Sequence, residues 1–192
     1  MPKVVPEYKA QARARILAAA SGVFRRKGFR SATMDDIARE LGVSKGALYL
    51  YFRTKAELLI HIQDQARDDI IAKWEKLIDS GDIAEGIANS LGDIFTGEAD
   101  PALWHELVAE SSSDPEVRDA LKIDHREDTK FMRQFLDRLE ARGRIPKMRD
   151  PAALTQVVLT LLQGTALQIM LTGRGAEARK SLIRELRLVL GP

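Results

Sequence analysis

Three residues able to cap a helix, Thr33, Ser44 and Thr54, fall close together in the run Ser31 to Leu59, SATMDDIARELGVSKGALYLYFRTKAELL. A hydroxyl at each position can accept one of the free amides that open a helix. After Thr33, Asp35 and Asp36 complement the positive end of the helix that follows. Caps this closely spaced leave room only for short helices, one reaching about Leu41 and stopped by Gly42, and one from Lys45 to Phe52. A longer helix then runs from Lys55 to about Ile78. Met34, Ile37, Ala38 and Leu41 give the first a core face, Val43 is expected to plug the turn, and Leu48 and Phe52 anchor the second. Two short helices packed across a glycine-containing turn make a helix-turn-helix.

The remainder extends the pattern. β-branched alternation is nearly absent, and apolar residues recur at three- and four-residue spacing, which predicts an all-α fold. Tyr8 to Lys27 carries the stripe Ile16, Ala19, Ala20, Val23 and Phe24, and ends in three basic residues before Gly28. Further helices are expected near 83–96, 101–111, 115–142, 151–171 and 176–190, about nine in all. The expected organisation is a three-helix head over residues 1–54 and a helical body over residues 55–192.

Residues 151–173 hold no charged side chain. A membrane span is disfavoured, because Gln156, Thr160, Gly164 and Gln168 share one helical face and amides have few partners in lipid. A helix that is apolar nearly all round needs burial on more than one side. In so small a chain the second surface is expected to be another copy, with Leu159, Gly164, Leu167 and Leu171 on this helix and Leu182, Leu186 and Val189 on the last one forming a homodimer interface.

Charge narrows the function. Residues 1–55 hold 12 Lys/Arg against 4 Asp/Glu, a net of +8, whereas residues 56–192 hold 18 against 24, a net of −6. A basic head on an acidic body suggests a polyanionic partner, most often nucleic acid. There is no cysteine, which excludes disulfides, thiolate zinc sites, iron–sulfur clusters and cysteine nucleophiles. The N-terminus lacks the apolar run of a signal peptide, so a cytoplasmic protein is expected.

The outer face of the helix after Ser44 offers Lys45, Gly46, Ala47, Tyr49 and Tyr51. Its small residues admit base edges, Lys45 can donate to guanine or phosphate, and the tyrosine hydroxyls and Lys55 can donate to backbone oxygens. Thr33 and Ser44 mark helix starts at which phosphates can bind. Enzyme motifs are weak here. Gly42-Val43-Ser44-Lys45-Gly46 has the spacing of a nucleophile elbow but follows a helix and not a strand. His105-Glu106 begins a zinc-helix motif whose second ligand position is Ala109. No phosphate-binding loop or dinucleotide fingerprint is present, so no metal, cofactor or catalytic residue is expected.

At these residues the sequence resembles the TetR/AcrR family of transcriptional regulators. The resemblance rests on Thr33, Ile37-Ala38, Gly42 to Phe52, and Lys55 with Leu58-Leu59, preceded by Ala18-Ala19-Ala20, Phe24 and Lys27-Gly28-Phe29. Arg53-Thr54 departs slightly, since the family often has Ser or Asn before the lysine. Weaker similarity to BetI-type C-terminal domains runs through Leu103 to Leu107, Asp114 to Arg118, Ala141 to Ile145 and Gln163 to Leu167. The resemblance implies a homodimeric repressor that binds a palindromic double-stranded DNA operator and is released by a small molecule. A ligand-independent DNA-binding protein and a small all-helical enzyme are the alternatives.

An effector pocket in the body should be mainly apolar with a few polar groups. Trp74, Phe95, Trp104, Phe131, Met132, Phe135 and Met170 are candidate lining residues, with His105, His125, Gln163 and Gln168 as polar handles.

Overall fold

A computed structural model describes residues 6–96 and 101–191. Among these residues there are nine helices and no strand: α1 (Pro6–Lys27), α2 (Met34–Leu41), α3 (Lys45–Tyr49), α4 (Lys55–Asp79), α5 (Ile83–Thr96), α6 (Pro101–Glu110), α7 (Pro115–Ala141), α8 (Pro151–Thr172) and α9 (Gly175–Leu190). All three expected caps form. Thr33 Oγ1 accepts from the Asp36 amide at 3.2 Å, Ser44 Oγ from Ala47 at 3.2 Å, and Thr54 Oγ1 from Glu57 at 3.0 Å. Asp36 returns the first bond by accepting from the Thr33 amide at 3.1 Å, closing a capping box.

The chain divides into two units. The first comprises residues 1–65 and 102–122, the second residues 66–101 and 123–192. The boundary expected after residue 54 therefore falls at the start of α4, inside the first unit, and α6 with the first part of α7 joins that unit.

In the first unit, Ile16, Ala20, Val23 and Phe24 of α1 pack with Met34, Ile37, Ala38, Leu48 and Phe52, and with Leu58, Leu59 and Ile62 of α4. Leu48 and Phe52 are fully buried, and truncating a buried Phe to Ala costs about 3–5 kcal/mol. Leu103, Leu107 and Val117 complete this core. Val43 does not plug the turn as expected but is 44% exposed. The turn closes through its backbone instead. Gly42 sits at φ 68, where a Cβ is strained, and the amides of Gly42 and Val43 bond to Arg39 and Ala38 carbonyls at 3.2 and 3.0 Å.

The second unit centres on Trp74 and Ile78 of α4, Ile87 and Leu91 of α5, Met132, Phe135, Leu136 and Leu139 of α7, Val158 and Leu159 of α8, and Leu182, Leu186 and Leu190 of α9. Leu159, Leu182 and Leu186, expected on a dimer face, are thus core residues of their own protomer. α5 and α8 cover the Leu182 and Leu186 face of α9 from within the chain. Val189 is half-buried against the same core. α8 is long and apolar enough to cross a membrane, and 22% of its most apolar window is buried in the unit.

Candidate nucleic-acid interface

α2 and α3 are set by the caps and by the buried face just described, which leaves the opposite face of α3 open. Lys45, Gly46, Tyr49 and Leu50 are exposed there, Leu50 at 83%, while Ala47 and Tyr51 are half-buried. A Cβ added at Gly46 would meet nothing within 4 Å, so the face is open at its centre. Leu50, one helical turn from Gly46, shares this outward position, and sequence reasoning passed over it because an isolated leucine has no polar signature.

Most cations of the head are already engaged. Lys45 Nζ lies 3.0 Å from Asp35 Oδ1 and is held above its ordinary pKa, first by that hydrogen bond. Lys27 Nζ meets Asp36 at 2.7 Å, Arg39 meets it at 3.2 Å, and Arg26 pairs with Glu40 at 2.8 Å. The Lys27 hydrogen bond first, then that from Thr33, lowers the Asp36 pKa to about 2. Lys55, read from the sequence as a DNA donor, has another use. Its Nζ donates to the carbonyls of Phe29, Arg30 and Ala32 at 2.9, 3.1 and 3.4 Å, and lies 4.5 Å from the Phe29 ring centre. An ammonium has three protons to donate, so this lysine is spent on the α1–α2 turn.

The amides of the same turn are served from elsewhere. Glu106 Oε2 on α6 accepts from Phe29 at 2.5 Å and from Arg30 at 3.3 Å. Gly28, at φ 75, lets the carboxylate come close, because a Cβ there would lie 3.2 Å from both oxygens. Among the described residues, the exposed Arg30 and Arg53 side chains have no carboxylate partner. Arg30 stands three residues before the capping Thr33 and Arg53 directly before the capping Thr54, which makes them phosphate-contact candidates that the sequence reading did not single out.

In the second unit, Trp74 lies 5.7 Å from Phe131 and 5.1 Å from Phe135, ring centre to centre. Its Nε1 donates to Ser90 Oγ at 2.9 Å, which donates onward to the Ile87 carbonyl at 2.6 Å. Trp74, Met132 and Phe135 are packed core, and Phe131 is half-buried at their edge. The other expected effector residues are not gathered here. Trp104 and His105 belong to the first unit, Trp104 against its core. His125, Gln163, Gln168 and Met170 are exposed, and the Phe95 side chain lies outside the described residues.

α8 keeps an uncharged outer face. Gly164, Leu167 and Leu171 are exposed, Leu171 at 77%, and Val157 and Met170 add to them.

A capped, basic helix-turn-helix with an open recognition face, followed by a separate helical unit, defines a DNA-binding transcriptional regulator. Residues 16–62 match the family described as bacterial regulatory proteins, tetR family, and residues 85–188 match the BetI-type transcriptional repressor C-terminal family. The HTH-type transcriptional regulator UidR of Escherichia coli (strain K12) is 31% identical over 183 residues, covering 93% of this chain and 91% of UidR. Among solved structures, Salmonella enterica GusR is similar with a TM-score of 0.77 over 100% of both chains at 21% identity. The SmeT–triclosan complex gives 0.70 over 93% of this chain and 89% of SmeT at 19% identity. The chain belongs to the tetR family of bacterial regulatory proteins.

Proposed function

We propose that the chain is the protomer of a cytoplasmic homodimeric repressor that holds a palindromic operator through α2 and α3 and releases it when a small molecule binds in the helical body, residues 55–192. The observation that carries this reading is the open face of α3, from Lys45 to Tyr49 and Leu50, on a head whose opposite face is packed core. Lys45 reads a base edge, Tyr49 and Tyr51 donate to phosphate oxygens, and Thr33 and Ser44 fix the helix starts against the backbone. A second copy supplies the second half-site, and covers the uncharged face of α8 in place of lipid. In the two-fold arrangement the half-sites lie about 34 Å apart or at a multiple of that spacing.

The effector site is supported by the rings of Trp74, Phe131 and Phe135, brought together from α4 and α7 with Ser90 of α5 as a polar neighbour. α4 and α7 each contribute residues to both units. The bound triclosan of SmeT, an apolar aromatic molecule, suits such a ring cluster. The chain acts by binding and not by catalysis. The test is a binding assay of the purified chain on intergenic fragments across a panel of small molecules. A palindromic fragment bound with two protomers per site, and released by one compound class, is the expected result. Binding indifferent to sequence and to every compound would refute it.

A further inference from the structure

The recognition helix α3 has five residues, with Leu50 as its C-cap. A helix this short holds few of its terminal carbonyls within itself. Arg13 of α1 serves the chain that leaves it. Its Nη1 donates to the Tyr51 carbonyl at 3.2 Å, and its guanidinium carbon lies 4.3 Å from the centre of the Phe52 ring. Nη2 is 3.3 Å from Nε2 of His61 on α4. A guanidinium only donates, so Nε2 is the unprotonated acceptor and the ring proton sits on Nδ1, 3.4 Å from Asp64 Oδ2. The imidazole also stands edge-on to Phe52, with centroids 5.5 Å apart at 67°. Among the described residues, the groups facing His61 are Arg13 from α1, Asp64 from its own helix, and the Phe52 ring.

We propose that Arg13 is a positioning residue for the recognition helix, and that its hold requires an uncharged His61, which makes operator binding sensitive to protons. The proposal rests on the reading of α3 as the DNA-contacting element. A proton on Nε2 turns the acceptor into a donor and sets two cations against each other. Asp64 stabilises the charged ring, but from the Nδ1 side, and cannot restore the lost acceptor. Arg13 then withdraws, the Tyr51 carbonyl loses its donor, and the end of α3 is held to α1 only by the packing of Leu48 and Phe52. Growing positive charge ordinarily tightens binding to a polyanion, so the expected sign opposes that background.

The test compares the full chain with His61→Gln and Arg13→Ala on the operator fragment from the intergenic screen, at about pH 7.5 and about pH 5.5. Nuclear magnetic resonance follows the Tyr51 and Phe52 amides of the DNA-free protein over the same interval. The wild type is expected to lose about tenfold in affinity on acidification. His61→Gln, whose amide oxygen still accepts from Arg13, should bind within about twofold of wild type at the higher pH and keep its affinity at the lower one. Arg13→Ala should be about tenfold weaker at both, with an unchanged salt slope, because Arg13 touches no phosphate. Should Arg13→Ala fail to fold, the His61→Gln comparison decides. Wild-type affinity that holds or rises on acidification, an acid loss that persists in His61→Gln, or a shallower salt slope in Arg13→Ala would overturn the proposal. If no DNA binds at any pH, the DNA reading fails and takes the operator-binding part of the proposal with it, and the amides decide the hold on α3: shifts seen in wild type and absent in His61→Gln uphold it, and shifts absent from wild type overturn it.

Discussion

The carboxylate of Glu106 accepts the Phe29 amide at 2.5 Å across 77 residues of sequence. Together with Lys55 on the carbonyl side, it satisfies the turn that delivers the chain to the Thr33 cap.

Glu106→Ala should therefore destabilise the protein by about 1–3 kcal/mol, because it leaves two amides without an acceptor. Glu106→Gln, which keeps one neutral acceptor oxygen, should fall between the two. Thermal unfolding followed by circular dichroism measures this, and equal midpoints for wild type and Glu106→Ala would show that the contact carries no stability.

Lys45 and its neighbour Asp35 should act with opposite signs on DNA. Lys45→Ala is expected to weaken operator binding by about 1–3 kcal/mol, concentrated at one base pair if the side chain reads guanine. Asp35→Asn removes the carboxylate that holds the Lys45 ammonium in the free protein and should tighten binding. Titrations on operators changed one base pair at a time separate base reading from phosphate contact, in which all sequences suffer alike.

Acid stability should carry the mark of Asp36. Its folded pKa of about 2 lies below that of an unfolded aspartate, roughly 3.9. The stabilisation it gives is therefore complete above the unfolded value and is lost as pH falls toward the folded one. In a urea series between about pH 5 and pH 2, Asp36→Asn should start less stable and lose less over the acidic end. Parallel curves would contradict the role given to the Lys27 and Thr33 bonds.

Two leucines separate assembly from folding. Leu171→Glu places a charge at a residue 77% exposed in the protomer and should yield a folded monomer with weak operator binding. Leu182→Glu charges a fully buried position and should prevent folding. Sedimentation with circular dichroism distinguishes these outcomes, and a Leu171→Glu protein that sediments as the wild type does would move the proposed interface away from this face.

The helices and their caps were legible because capping is local: Thr33, Ser44 and Thr54 each bond an amide three residues on. Burial of Leu48 and Phe52 followed from periodicity in the same way. Periodicity failed for Leu182 and Leu186 in a specific sense, since a stripe says that a face is covered and not what covers it. Lys55 was misjudged for a related reason. A lysine at a helix start beside a basic head looks available to phosphate, and nothing nearby in sequence shows that three carbonyls 23 to 26 residues earlier take its protons. Glu106 lay still farther off. The effector residues were least legible because aromatic spacing is common to a packed core and to a pocket wall.

The first unit is assembled from two stretches of sequence, residues 1–65 and 102–122. Anyone building hybrid biosensors by joining this reader head to a foreign sensing body at a single splice point would discard part of the head without noticing. The graft would carry α2 and α3 intact, yet leave Leu103, Leu107 and Glu106 behind on the donor's other fragment. Parts exchange among such regulators must therefore be planned as a double crossover, with α6 travelling alongside the head it completes.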